Sequence, residues 1–279
     1  MGALESESPL AHHLYFEVEK MKPELQKELC VLYKSGNSIR GLSTRYSIPK
    51  STVYDNLNKF NVIRRNAKIT NLKVRNQITI GTLVGLWAGD GSRFRDKNGK
   101  YTVKIHINKN DKNLIEFVKF LYKKLFDKEP NLYSSNNTSN SASLKIDSKF
   151  IYYFFDEYLT CVSRKAHTIQ LKRNVNKYSD NFLNGFLLGL VLSDGYLKKC
   201  FCFSTVSKGL AKNIIDTLKA FNYKNYCYLY DNRNWRPTYS IKVERNKVER
   251  LRTFLDKILK DLKIEKSFNE IKYNTLVTS

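Results

Sequence analysis

Residues 83–91 read Leu-Val-Gly-Leu-Trp-Ala-Gly-Asp-Gly, and residues 187–195 read Leu-Leu-Gly-Leu-Val-Leu-Ser-Asp-Gly. The two stretches are versions of one apolar segment ending in Asp-Gly. Gly81, Gly85 and Gly89 recur as Gly185, Gly189 and Ser193, and Asp90 recurs as Asp194, all at an offset of 104 residues. The chain is therefore a duplication. Small residues at every fourth position form one stripe along a helix, which lets a second helix approach until the backbones nearly touch. Two such helices packed along their stripes bring Asp90 and Asp194 out side by side at one end. Holding two carboxylates roughly 4 Å apart costs about 4 kcal/mol at an effective dielectric near 20, a cost that a divalent cation removes. The pattern asks for a metal.

The helix ends supply further ligands. The last carbonyls of a helix lack intrahelical partners and carry the negative pole of its dipole, so the carbonyls of Gly89 and Ser193 are expected to join Asp90 and Asp194 as hard oxygen donors. Gly91 and Gly195 stand where a left-handed helix terminator is expected. These paired nonapeptides resemble the LAGLIDADG motif, and the chain resembles a single-chain, two-repeat LAGLIDADG homing endonuclease over residues 78 to 262.

Elements around each motif repeat as well. After the first come Ser92 to Lys97, an Asn98-Gly99 turn, and Tyr101 to Asn108, where Val103, Ile105 and Ile107 alternate with Lys104, His106 and Asn108. That alternation predicts a hairpin with one buried face. A helix capped by Asp111, a second hairpin near 131 to 147 and an aromatic helix over 149 to 160 follow. The second half predicts strands around 196 to 205, a helix from Ser207 to Phe221, strands near 226 to 232 and 237 to 244, and a helix over 246 to 262. The fold class is thus α+β, two αββαββα units in tandem. The resemblance implies that they form a pseudo-symmetric, DNA-binding saddle.

Each antiparallel sheet buries one face under helices, so parity identifies the other. That face carries Lys104, His106, Asn108, Lys145 and Asp147 in the first unit, and Lys198, Ser204, Tyr228, Tyr230, Asn232 and Lys242 in the second. Amides, cations and tyrosines interleaved in this way suit major-groove contacts. Arg93 and Arg95 join the candidate DNA-binding set, and the loop Arg233-Asn234-Trp235-Arg236 is a candidate phosphate clamp. Residues 161 to 180, with Arg164, Lys165, Lys172, Arg173 and Lys177, join the units; by resemblance they form a basic connector beside DNA.

The chain's charge agrees with a polyanionic partner. Lys and Arg number 49 against 26 Asp and Glu, a formal net charge of +23, whereas a salt- or heat-adapted surface raises glutamate along with lysine. An apolar content of 42% excludes a disordered chain, and no apolar run is long enough to span a membrane. The five cysteines (30, 161, 200, 202 and 227) include no Cys-x-x-Cys pair, which argues against a zinc ribbon or a disulfide frame. With no signal-peptide layout either, the expected location is intracellular, in cytoplasm or an organelle.

Ahead of the repeats lies an independent pattern. Helices are expected from Pro23 to Lys34, from a Ser38 cap with Ile39, Leu42 and Tyr46 inward, and after Ile48-Pro49 with Val53 and Leu57 inward. Residues 38 to 54 resemble a helix-turn-helix, whose second helix would present Lys50, Ser51, Thr52 and Tyr54 to base edges. The expected division is a helical domain over 1–65, a linker over 66–77, repeats over 78–160 and 181–262 flanking the connector, and a tail over 263–279.

The resemblance implies a monomer that makes a staggered double-strand break in a long DNA target and so spreads its host intron. Mg²⁺ is the implied cofactor, with Mn²⁺ substituting and Ca²⁺ supporting binding without efficient cleavage. Such sites place a lysine or glutamine near the end of each unit's second strand. Asn108 and Lys109 match in the first unit, but Ser204 and Thr205 occupy that place in the second. Unless Lys198, Lys199 or Lys208 substitutes, the two strands are expected to be cut at unequal rates. Two other activities share the pattern: an intron-splicing maturase that binds RNA, and a non-cleaving transcription regulator. The retained aspartates argue against the regulator, because clustered carboxylates beside phosphates do not help a pure binder.

Overall fold

The computed structural model describes residues 21–35, 37, 39–60, 62, 71–97, 99–134, 140–162, 164–230 and 237–273. The chain divides into two compact units, residues 1–67 and 68–279. The first holds three helices, α1 (Pro23–Ser35), α2 (Ile39–Tyr46) and α3 (Lys50–Lys59). Leu29, Cys30, Tyr33, Leu42, Val53, Leu57 and Val62 form its core. Asn56 lies buried among them and donates to Gln26 O at 2.9 Å, tying α3 to α1. The reversal between α2 and α3 passes through Ser47 in the left-handed region (φ 54°), with Pro49 fixing the entry to α3.

In the second unit, α4 (Gln77–Asp90) leads into β1 (Gly91–Arg95), β2 (Tyr101–Asn108), α5 (Lys112–Phe126), β3 (Asn131–Tyr133), β4 (Ser141–Asp147) and α6 (Lys149–Phe154). A connector of β5 (Leu159–Thr160), the short α7 (Lys165–Thr168) and β6 (Gln170–Leu171) follows. The series then recurs as α8 (Asp180–Ser193), β7 (Tyr196–Leu197), β8 (Phe201–Thr205), α9 (Lys208–Ala220), β9 (Asn225–Tyr230), β10 (Thr238–Val243) and α10 (Val248–Asp261). Beyond it lies one more short helix, α11 (Phe268–Tyr273). The two four-stranded sheets are antiparallel and have the same order, β1-β2-β4-β3 and β7-β8-β10-β9, while β5 and β6 pair with each other. Of the strands expected at 226–232 and 237–244, the first is described over Asn225–Tyr230 and the second spans Thr238–Val243; Asn232 and the expected loop of Arg233, Asn234, Trp235 and Arg236 lie outside the described residues, as do Ser38 and Asn98.

The axis of this unit is the pair α4 and α8. Each starts at a side-chain cap: Thr79 N–H donates to Asn76 Oδ1 at 2.9 Å, and Phe182 N–H donates to Ser179 Oγ at 3.2 Å. Both are apolar all round, as a helix buried on every side must be. Their mutual approach is set by glycine. A Cβ on Gly81 would stand 2.0 Å from Phe182 O, and one on Gly85 2.3 Å from Phe186 O. In the other direction, Gly185 meets Ile78 O at 2.1 Å and Gly189 meets Thr82 O at 2.1 Å. These are backbone atoms, so no side-chain adjustment makes room. Around the pair one continuous core runs through both repeats.

Gly91 and Gly195 depart from expectation. Gly91 is extended (φ −81°, ψ 151°), and Gly99 is the one glycine with positive φ among the described residues. Glycine is required here for space: a Cβ on Gly91 would lie 2.3 Å from the Trp87 ring, and one on Gly195 2.6 Å from Val191 Cα. The chain leaves each helix by folding tightly over its last turn into the first strand.

Candidate functional site at the helix ends

Asp90 is the last residue of α4 and Asp194 caps α8, so the glycine stripe delivers both carboxylates to the same end of the helix pair. They are close neighbours: a Cβ placed on Gly89 would come within 2.8 Å of Asp194 Oδ2. Burial, and then the charge of Asp194, push the Asp90 carboxyl up to about 6, against the opposing pull of Lys272 and Lys165. Burial likewise raises Asp194, opposed by the same two lysines.

The sequence placed Lys165 only in a basic connector and did not single out Lys272. Lys165 Nζ, from α7, donates to Gly89 O and Gly91 O, each at 2.7 Å, and lies 5.0 Å from the centroid of the Trp87 ring. Lys272 Nζ, from α11, donates to Leu192 O at 2.6 Å and Ser193 O at 2.5 Å. One ammonium therefore sits on each helix end, where carbonyls without intrahelical partners and the negative dipole attract it. Burial pushes Lys165 down to about 8 although Asp194 and Asp90 favour its charged form. Lys272 is lowered by burial too, against Asp90, Asp194 and Asp111.

The two lysines arrive by equivalent routes. Each comes from the short helix that follows its repeat, and each of those helices packs on the middle helix of the other repeat, α7 on α9 and α11 on α5. Ser207 Oγ donates to Ile169 O at 2.6 Å and Leu171 N–H to Asn213 Oδ1 at 2.7 Å, fixing the connector. Asn113 Nδ2 donates to Glu270 O at 2.9 Å, and Phe268 beside it is fully buried, fixing the C-terminal segment. The stretch expected to be a tail thus carries a side chain into the centre.

Asn108 and Thr205, at the ends of the second strands, serve local turns. Asn110 N–H donates to Asn108 Oδ1 at 2.9 Å, and Ser207 N–H donates to Thr205 Oγ1 at 3.1 Å. Lys109 lies in the same turn, its N–H donating to Asn140 O at 2.8 Å. Of the lysines expected to compensate in the second unit, Lys198 lies over the Tyr273 ring at 4.6 Å and Lys208 begins α9. The cations whose charge acts on both carboxylates are Lys165 and Lys272.

The donor set fits a hard cation. The two carboxylates lie close together, and next to each in the chain is a helix-end carbonyl, Gly89 O or Ser193 O, that already draws positive charge from a lysine. No cluster of three or more His, Cys, Asp or Glu side chains suited to a metal occurs among the described residues. An ion held here must complete its shell with water and phosphate oxygens, as Mg²⁺ characteristically does.

Both sheets expose a face away from the core. In the first, register aligns Ser92, Lys104, Lys145 and Asn131 in one row, and His106, Ser143 and Tyr133 in the next. His106 Nε2 is 2.9 Å from Ser92 Oγ, and burial followed by the charges of Lys104 and Lys165 lowers its pKa. Asp147 accepts from Thr102 at 2.6 Å and pairs with Lys100 at 2.9 Å. In the second sheet, Tyr196, Cys202, Lys242 and Tyr226 share a row, then Ser204, Ser240 and Tyr228, then Thr238 and Tyr230. Cations and aromatics interleave on both: Lys104 over Phe94 at 5.1 Å, Lys145 over Tyr133 at 5.8 Å and Lys242 over Tyr228 at 5.2 Å.

Several candidates lie elsewhere. Arg93 and Arg95 alternate with Ser92 and Phe94 and so point to the helix side of the sheet. Arg93 pairs with Asp156 at 2.5 Å and lies over the Tyr152 ring at 4.7 Å, while Arg95 lies over Tyr101 at 5.1 Å. Both were candidates for DNA contact, and their side chains pack on the helix side instead. In α3, Lys50 and Ser51 are exposed and Tyr54 is half-buried, but Thr52 is buried against the small core, which removes it from any exposed contact face.

A family model for the LAGLIDADG-like domain matches residues 78–159 and again 181–259. No match is found among curated proteins. Among solved structures, one of mesophilic variants of the homing endonuclease I-DmoI aligns with a TM-score of 0.52 at 19% identity, over 65% of this chain and 93% of that one. A variant of I-DmoI in complex with its target DNA, nicked in the coding strand and with manganese present, aligns at 0.50 and 17% identity, over 65% and 97%. The homing endonuclease I-WcaI bound to its DNA recognition sequence aligns at 0.43 and 16%, over 71% and 88%. The likeness to I-DmoI is one of fold.

Proposed function

We propose, from the premise that this chain belongs to the LAGLIDADG-like domain family, that it is a site-specific, divalent-metal-dependent endonuclease acting on double-stranded DNA. The observation that carries this reading is the meeting of Asp90 and Asp194 at the ends of α4 and α8, with an exposed cationic and aromatic sheet face following each. A carboxylate pair raised by burial, with the charge of Asp194 adding to the rise at Asp90, favours a shared cation over bulk water. Two half-sites related by pseudo-symmetry suit the two strands of a duplex, and the family resemblance supports a staggered break and a mobile intron as the host element.

The residues divide the work. Lys104, Lys145, His106 and their neighbours, with Lys242 and the β9 tyrosines, hold the duplex; Lys50 and Ser51 of α3 extend the contact as a helix-turn-helix would. Asp90 and Asp194, with Gly89 O and Ser193 O, would hold Mg²⁺, which when bound lowers the pKa of water and offsets charge on the scissile phosphates. Lys165 and Lys272 keep a positive charge at each helix end, where it offsets negative charge that grows on a phosphate and its leaving oxygen. Trp87, stacked on Phe155 at 4.5 Å, backs Lys165 and keeps bulk water from that side.

The test is cleavage of the sequence formed by joining the two flanks of the coding element, cloned in a supercoiled plasmid, with Mg²⁺. Linear product at one site is expected from the native chain and none from Asp90→Asn. Tight binding of that duplex with no strand cut by the native chain under any divalent ion would overturn the nuclease reading in favour of a regulator.

A further inference from the structure

We infer that the two sheets read their half-sites by different chemistry, and that the second reads thymines through a ladder of tyrosine edges on β9. The inference rests on the endonuclease reading above and specifies its substrate. Tyr226, Tyr228 and Tyr230 occupy alternate positions of the outer strand and are 41%, 47% and 54% exposed. Across from them on the same face stand Lys242, Ser240 and Thr238 of β10, then Cys202 and Ser204 of β8. Lys242 is thus the single charged side chain that these three strands give to that face among the described residues. The corresponding face of the first sheet carries Lys104, Lys145, His106, Asp147, Asn108 and Asn131, with one aromatic on each edge strand, Phe94 and Tyr133, in place of a ladder.

Hydrogen-bonding side chains distinguish guanine, adenine and cytosine in the major groove, whereas thymine is marked there by its C5 methyl, which is read by apolar contact. The first sheet is furnished for the former task and β9 for the latter. The tyrosines are also less suited to stacking on splayed bases, because an ammonium already lies over a face of two rings: Lys242 over Tyr228 at 5.2 Å and Lys224 over Tyr226 at 5.9 Å. Tyr226 OH is committed to Glu244 Oε1 at 3.1 Å, so its ring rather than its hydroxyl meets a partner. Alternate residues of a strand repeat every ~6.6–6.8 Å. Two base-pair steps of a duplex span ~6.8 Å. Three rings along the groove therefore meet every second base pair.

The experiment selects a preferred duplex from a randomised library with the full-length protein in calcium, then replaces each thymine singly with deoxyuridine, which lacks only the methyl. Thymines at alternate positions in one half-site are expected. Each replacement there should weaken binding about three- to fivefold, the worth of one buried methyl. Replacements in the other half should change nothing, and Tyr228→Ser, at an exposed position, should erase the uracil effect at the middle thymine alone. A selected duplex whose affinity is indifferent to uracil throughout overturns this inference and leaves the endonuclease reading standing. Tighter binding of the single strands than of the duplex overturns it in favour of base stacking. Failure to select any duplex overturns both.

Discussion

Asp90 and Asp194 are destabilising in the absence of a cation, and that gives a test at the level of single residues. A carboxyl whose folded pKa is raised to about 6 from 3.8 holds its proton in the native state while the unfolded chain has lost it. Its contribution is favourable at low pH and is lost as pH climbs from about 4 through 6. Asp90→Asn, which cannot ionise, should therefore raise the melting temperature at pH 7 without divalent ions, by up to about 3 kcal/mol of stability, and the gain should vanish near pH 4. A constant difference across that range would contradict the burial of the pair. The same variant and Asp194→Asn should abolish double-strand cleavage while keeping target affinity within about tenfold, measured by calcium-supported gel shift, because the sheets supply the binding. Lys165→Met and Lys272→Met remove one ammonium from one helix end each. Each should slow one strand by roughly 10- to 150-fold, the worth of a charge-assisted hydrogen bond felt in the transition state, so that nicked circles accumulate. In the native chain both ends have a lysine, which removes the basis for the unequal strand rates expected from Ser204 and Thr205. The aspartates were legible because a duplicated motif marks itself. The place of Lys165 and Lys272 was not: each is one of 49 lysines and arginines, reaching its carbonyl from 75 or 78 residues beyond its aspartate. Their one signal was that similar spacing.

Among the elements, α4 and α8 carry the most specific demand. Gly85 and Gly189 face backbone at 2.3 and 2.1 Å from where a Cβ would lie, so even alanine forces the helices apart. Gly85→Ala and Gly189→Ala should each lower stability by about 1–3 kcal/mol or more, and leucine should prevent folding. Equal melting curves for native and alanine variants would mean that the helices do not approach along this stripe. The stripe, both hairpin pairs and the order of helices were readable because periodicities of two and of about four survive in the residues themselves. Helices shorter than two turns were not. α7 and α11 have four and six residues, too few for a pattern, and are held by packing against the opposite repeat. The direction of Arg93 was not legible for a related reason: five residues beginning at a crowded Gly91 leave no buried alternation to fix which way it turns. Gly91 and Gly195 show a further limit, since a glycine kept for space and one kept for its φ look alike in sequence.

At the scale of the molecule, the division at residue 67 separates two cores with no buried residue in common. The larger unit contains both aspartates, both site lysines and both sheets, and its core is complete without α1 to α3. Removal of residues 1–67 should therefore leave a folded protein whose single-turnover cleavage rate at saturating enzyme matches the full chain within about twofold. Affinity should fall, because α3 presents Lys50 and Ser51 on an exposed helix face and because each phosphate that a cation neutralises adds to affinity and steepens its salt dependence. A footprint measured on end-labelled target should then shorten, and the slope of log affinity against log salt should become shallower by about one unit for each phosphate that the truncated chain no longer neutralises. A footprint and slope unchanged by the truncation would assign the three helices to a protein partner. A cleavage rate that collapses although binding is saturated would mean that the small unit acts on the centre itself, which its separate core gives no reason to expect.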